Sequence, residues 1–169
     1  ESHGHPGQII QEALVESSAD FFAHGFDDDP PADIARLVLA CEASNATWAS
    51  GMVREIDMEG HPNGAIYDGK PGPHLLFKNT VPLQGCVFRR TLTSRVPFVE
   101  PGSLRWTYDH DFVLRTFLAE EPHVHIPEVV GHWTQNPKGI TQEHRTREDA
   151  AYWQDRRAEI FRRFSPKGR

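Results

Sequence analysis

Three acidic side chains in a row are the first feature of this chain that could do chemistry. Asp27-Asp28-Asp29 follows the apolar run Phe21-Phe22-Ala23-His24-Gly25-Phe26 and precedes Pro30-Pro31. Adjacent carboxylates repel one another, and a hard divalent cation such as Mg2+ or Mn2+ offsets that repulsion. The same residues also suit a helix N-terminus, where Asp accepts from unpaired backbone N–H groups. Local sequence leaves cation site and cap evenly balanced. Asp109 has a similar double reading. It opens an amphipathic stretch, so it either caps that helix or is a carboxylate fixed at a helix start, placed to take a proton. The ten histidines form no tight ligand spacing such as HExxH, and Cys41 and Cys86 have no nearby partner that would make either a nucleophile.

The elements that would hold these groups can be read from periodicity. Residues 21–26 have the length and aromatic content of a buried strand, which places the aspartates at its C-terminal edge, where open α/β sheets bind ligands. Pro30 or Pro31 suits a first helical turn, and Ile34, Leu37, Val38 and Cys41 recur on one helical face. A short helix over 8–16 precedes the strand. Thr47 to Ile56 reads as a second strand with a turn at Glu59-Gly60. Residues 61–74 form a Gly- and Pro-rich loop of the kind that is usually functional or mobile. Leu83–Phe88 is a strand, followed by a short helix to about Val96. Helix 109–119 presents Phe112, Leu114, Phe117 and Leu118. Strands 123–126 and 128–133 are interrupted by Pro127, and Asn136-Pro137-Lys138-Gly139 is a turn. The last helix, about 146–164, is predicted to bury Ala150, Trp153, Ile160, Phe161 and Phe164. Its other face carries Arg147, Asp155, Arg156, Arg162 and Arg163.

Composition narrows the function classes. A net charge of −6 and a pI near 5.9 argue against a general nucleic-acid binder. No apolar run approaches the ~20 residues of a membrane span. Two cysteines in apolar surroundings fit reduced core thiols and a cytoplasmic chain. The basic residues of the last helix leave peripheral contact with an anionic membrane open, although the interspersed acids favour a solvated face.

Several of these patches, in this order, resemble the C-terminal two-thirds of a family-2 glycosyltransferase with the GT-A fold. The strand, Asp-rich DxD motif, Pro and amphipathic helix of that family look like Phe21–Asp29, Pro30 and Ile34–Cys41. Its G-x-x-x-R-R step matches Gly85-Cys86-Val87-Phe88-Arg89-Arg90. Its E-D-(W/Y)-D-(L/F)-x-L-R signature is similar to Tyr108-Asp109-His110-Asp111-Phe112-Val113-Leu114-Arg115, with Tyr108 in place of the usual Glu. A closing h-x-P-E-V-L strand matches Val124-His125-Ile126-Pro127-Glu128-Val129-Val130.

The resemblance implies an α/β fold: a GT-A-like mixed sheet flanked by helices and N-terminally incomplete, because the family's first, nucleotide-binding strands have no counterpart here. Residues 1–142 would be a partial glycosyltransferase domain, and 143–169 a C-terminal amphipathic helix and tail packed on it. The implied activity is metal-dependent, inverting transfer of a sugar from a nucleotide-diphosphate sugar to a carbohydrate or other hydroxyl acceptor. Asp27 and Asp29 would hold Mg2+ or Mn2+, with His132 as a further ligand, and Asp27 and Asp28 would reach the donor. Asp109 would be the base. Arg89, Arg90 and Arg115 would meet the diphosphate, with surface ion pairing as the alternative for at least one of the adjacent pair. The alternative from another class is a GT-A-like binding or scaffolding module without catalysis, in line with Tyr108 and the missing strands. An unrelated metal-dependent hydrolase built on the Asp triplet is a third reading, weakened by the lack of a second ligand cluster.

Overall fold

A computed structural model describes residues 5–101, 103, 107–137 and 147–164. In chain order the elements are α1 (Pro6–Glu16), β1 (Phe21–Phe22), α2 (Ile34–Ser44), β2 (Trp48–Ile56) and β3 (Pro62–Tyr67). They continue with β4 (Cys86–Arg89), α3 (Tyr108–Leu118), β5 (His123–Thr134) and α4 (Arg147–Phe164), with short 3-10 turns at Pro73–Leu76, Leu83–Gly85 and Arg90–Ser94.

β2 is the centre of the sheet. Its first half pairs antiparallel with β4, its second half antiparallel with β3, and its whole length runs parallel to β5. β1 adds to the far side of β4. The result is a five-stranded mixed sheet between helices, in agreement with the expected α/β architecture. Alternation along β2 divides the core in two, since successive side chains point to opposite faces. Trp48 joins Phe88, Phe98, Phe112, Leu114 and Ile160 in the larger cluster. Ala49 joins Leu37, Cys41, Val87 and Val130 beneath α2. Each fully buried Leu or Phe contributes about 1.5–3 kcal/mol.

Several expectations change where tertiary pairing decides. β1 is two residues long, not six: only Phe21 and Phe22 pair with β4, opposite Arg89 and Phe88. Helix α2 starts at Ile34 with Asp33 as its N-cap, accepting from Arg36 N–H at 3.2 Å. Ile34 is exposed, while Leu37 and Cys41 are fully buried. β5 runs straight through Pro127. Its register against β2 steps from Ile126 to Val129 at that point, so the missing proline N–H has no ladder bond to make.

Helix α4 is turned differently from its predicted stripe. Ile160 is buried, but Phe161 is exposed, and Arg156 points inward at 3 % exposure. The side chains of Ala150, Trp153 and Phe164 lie outside the described residues, as do Lys138, Gly139 and His144. No helix among the described residues is long and apolar enough to cross a membrane. Both cysteines are buried free thiols, and burial pushes Cys41 up to about 11. Gly69 has φ +70°, and a Cβ there would stand 2.0 Å from the carbonyl oxygen of Gly51. The loop after β3 therefore lies directly on β2, where Ser50 Oγ donates to the Gly69 carbonyl at 2.6 Å.

Candidate functional site

The aspartate triplet sits at the C-terminal edge of the parallel pair β2 and β5. Asp29 is half-buried and gripped on both oxygens. Thr134 N–H, at the end of β5, donates to Oδ1 at 2.6 Å, and Gln84 Nε2 donates to Oδ2 at 2.7 Å. Burial raises its pKa, and the bonds from Thr134 and Gln84 work against that rise. Asp28 is exposed and accepts from Asn136 Nδ2 at 3.4 Å. Asp27 is exposed, beside the turn closed by Asp29 N–H to Phe26 O at 3.3 Å. Since Asp33 caps α2, the triplet is not that helix's cap.

Asp109 lies in the first turn of α3, half-buried, and accepts from Asn79 Nδ2 at 3.3 Å. Burial pushes its pKa up to about 6, against the backbone N–H groups of His110 and Asp109 itself, and the neighbouring Asp111 adds to the rise. That value leaves it ionised at neutral pH yet able to hold a proton, as a general base must. Tyr108 occupies the position where a Glu is expected. Its hydroxyl hydrogen-bonds His24 Nε2 at 3.0 Å, and its ring packs against His24 and Phe98. Burial lowers His24 to about 4, so the imidazole is neutral. The Tyr108–His24 bond ties the start of α3 to the segment that leads into the aspartates.

The three arginines are placed elsewhere. Arg115 is fully buried. Its Nε donates to Asp111 Oδ2 at 2.8 Å, and its terminal nitrogens donate to the carbonyls of Pro97 and Phe98 at 2.5 and 3.1 Å. A guanidinium so enclosed cannot meet a diphosphate. Arg89 lies opposite Phe21 in the sheet, donates to Ala46 O at 2.9 Å and stacks over the Phe21 ring. Arg90 Nε donates to Ala19 O at 2.8 Å. Both lie at the far end of β4 from the aspartates, separated by at least about 10 Å of strand. The G-x-x-x-R-R spacing is present, but its arginines brace the opposite edge of the sheet.

His132 lies in β5, paired with Arg54 and two residues before Thr134. Among the described residues no three His, Cys, Asp or Glu side chains converge as metal ligands, so His132 does not complete a cluster with Asp27 and Asp29. The donor chemistry still suits a hard cation. Mg2+ characteristically takes one or two carboxylates and fills its shell with water and substrate phosphate. Asp29 has the anchored geometry of such a ligand, with its outer hydrogen bonds already made. Gln84, Thr134, Asn79 and His24 are the residues here that sequence patterns did not indicate. Each acts on an aspartate or its support from at least thirty residues away, and only Gln84, beside the Gly85 motif, and His24, within the run before the aspartates, had a nearby signal.

No protein-family model matches the sequence, and no curated protein matches it. Among solved structures the chain is similar to S. aureus TarS residues 1–349 in complex with UDP, with 11 % identity and a TM-score of 0.63. The match covers 96 % of this chain and 46 % of that one, so the chain spans about half the length of its structural neighbour. The likeness establishes a shared, glycosyltransferase-like fold.

Proposed function

We propose that this chain is part of a nucleotide-sugar glycosyltransferase that transfers a sugar to an acceptor hydroxyl with inversion. One observation carries the reading. The fold of a UDP complex extends over nearly the whole chain, and within it Asp29 is anchored at the sheet edge while Asp109 holds a near-neutral pKa at a helix start. Asp27 and Asp29 would hold Mg2+ or Mn2+, with Asp28 toward the donor. The cation, when bound, neutralises charge that builds on the leaving diphosphate. Gln84 and Thr134 keep the Asp29 carboxylate from swinging. Asp109 accepts the proton of the acceptor hydroxyl, and Asn79 orients its carboxylate. The Tyr108–His24 bond keeps α3 in register with the aspartate loop.

A binding module without catalysis is the second reading. It is favoured by the engagement of Arg89, Arg90 and Arg115 within the fold, which takes the three expected arginines away from a leaving diphosphate. Calorimetric titration with UDP and Mn2+ tests the proposal. Joint binding that Asp29→Ala abolishes in a folded variant supports it. Binding of neither, or binding unchanged by that substitution, refutes the donor site. Joint binding without turnover by the full-length protein supports the second reading.

A further inference from the structure

A second cluster lies beside the aspartates, on the ends of β2, β3 and β5. Glu55 of β2 is 6 % exposed and pairs in register with Trp133 of β5. Tyr67 of β3 is paired with Val53 on the other side of β2. The Tyr67 and Trp133 rings nevertheless meet, 5.7 Å between centroids and at 67°. Neighbouring strands are about 4.8 Å apart, so two rings from opposite sides of β2 touch only by leaning over it on one face. The Tyr67 hydroxyl donates to Glu55 Oε2 at 3.5 Å, the outer limit of a hydrogen bond, so the carboxylate lies on that face too. Gly64 borders it, since a Cβ there would come within 2.7 Å of Glu55 Oε1. Two amides lie along the exposed rim, where Asn63 Nδ2 donates to Gln135 Oε1 at 3.4 Å.

Glu55 is unusual among the buried acids. Among the described residues it enters no ion pair, unlike Asp111, the other buried acid. A carboxylate has about four acceptor positions, and one long phenol bond serves at most one of them. A buried acceptor with unused capacity suits a ligand rich in hydroxyl donors. Half-exposed aromatic rings suit a ligand with an apolar C–H face. Rim amides can both donate and accept. A sugar ring meets all three conditions. A phosphate would be repelled by the carboxylate, and an apolar peptide segment would leave it unpaired.

We infer that Glu55, Tyr67 and Trp133, with Asn63 and Gln135 at the rim, form a saccharide-binding subsite. Its position gives it a role. Ile56 and Thr134 are the next pair in register, and Thr134 N–H is what holds Asp29. The subsite is therefore one residue step from the aspartate grip, where an acceptor would stand. Its assignment as the acceptor site rests on the transferase reading, and sugar binding does not.

The test is an array of neutral oligosaccharides and methyl glycosides probed with the chain, followed by saturation-transfer NMR on the hits, with UDP and Mn2+ titrated in parallel. The expected result is saccharide binding that weakens at least tenfold in Trp133→Ala and in the near-isosteric Glu55→Gln. UDP binding should stay within twofold of the parent in both. Gly64→Ala, which crowds the carboxylate without removing it, should weaken binding severalfold. No saccharide binding, or binding indifferent to Glu55→Gln and Gly64→Ala in folded protein, overturns the inference. Saccharide binding without UDP binding keeps the subsite and removes the transferase reading, whereas UDP binding alone does the reverse.

Discussion

Asp111→Asn should destabilise the fold severely although it changes one atom. Asp111 is fully buried between two guanidinium groups. Arg115 Nε donates to Oδ2 and Arg156 Nε to Oδ1, both at 2.8 Å, and Ser103 Oγ donates to Oδ2 at the same distance. Every bond requires an acceptor. An asparagine presents one oxygen and one NH2, so in either orientation of the amide an arginine N–H faces another donor. Among the described residues, the substitution also leaves two buried cations with Glu100, and at the surface Glu159, to balance them. Breaking a buried pair from one side costs about 3–5 kcal/mol. For a chain of this size 1 kcal/mol corresponds to about 2–4 °C, so the melting temperature should fall by about 6–20 °C. The loss should also depend on pH. Burial alone would raise the Asp111 pKa, but Arg115, Arg156 and Ser103 outweigh it and hold the group below the usual carboxylate value. Its contribution is thus present above about pH 4 and lost as pH falls through that lowered value. Differential scanning calorimetry of parent and variant at pH 7 and pH 3 measures both effects. A fall of less than about 3 °C at pH 7 would mean that the network is not closed around Asp111, and would refute the reasoning.

The neighbouring carboxylate should behave in the opposite way. Asp109 titrates near pH 6 in the fold, so its charge is penalised above that pH and stability rises as pH falls from about 6 toward 4. Asp109→Asn should therefore stabilise the protein at pH 7.5 by about 1–2 kcal/mol, after discounting for its partial exposure, with no gain below pH 4. On the proposed transferase reading the same variant should also abolish sugar transfer, and a destabilised, active Asp109→Asn would contradict both statements. Gly69→Ala should cost about 2–4 kcal/mol, because it adds a strained positive φ to a contact with the Gly51 carbonyl that cannot be accommodated. Urea denaturation measures it, and a loss under 1 kcal/mol would show that the loop lifts freely from β2.

Much of this molecule is legible without coordinates because its determinants are local. Helices α2 and α3 follow from apolar residues at helical spacing, and the turn after β2 from Glu59-Gly60. The strand-to-helix step at Gly85 and the carboxylates at Asp29 and Asp109 stand out as motifs in the residue order itself. Whatever depends on a distant partner is a different matter. The length of β1 depends on its pairing with β4, and the continuity of β5 through Pro127 depends on a register step against β2. Arg115 and Arg156 read as solvent-facing or ligand-facing because a lone arginine belongs in water. Only the folded chain brings Asp111 between them, in the one arrangement that makes their burial tolerable. The same physics governs the candidate site. Residue type alone marks Asp29 as able to bind a cation, but chain folding supplies Gln84 and Thr134, which fix its carboxylate. Folding also sets Arg89 and Arg90 at the opposite edge, and assembles Glu55, Tyr67 and Trp133 from three strands. The sequence by itself determined which chemical groups are present and which segments are helical, since those depend on neighbours a few residues away. The tertiary structure alone decided which of those groups meet, because long-range strand register and burial choose each charge's partner.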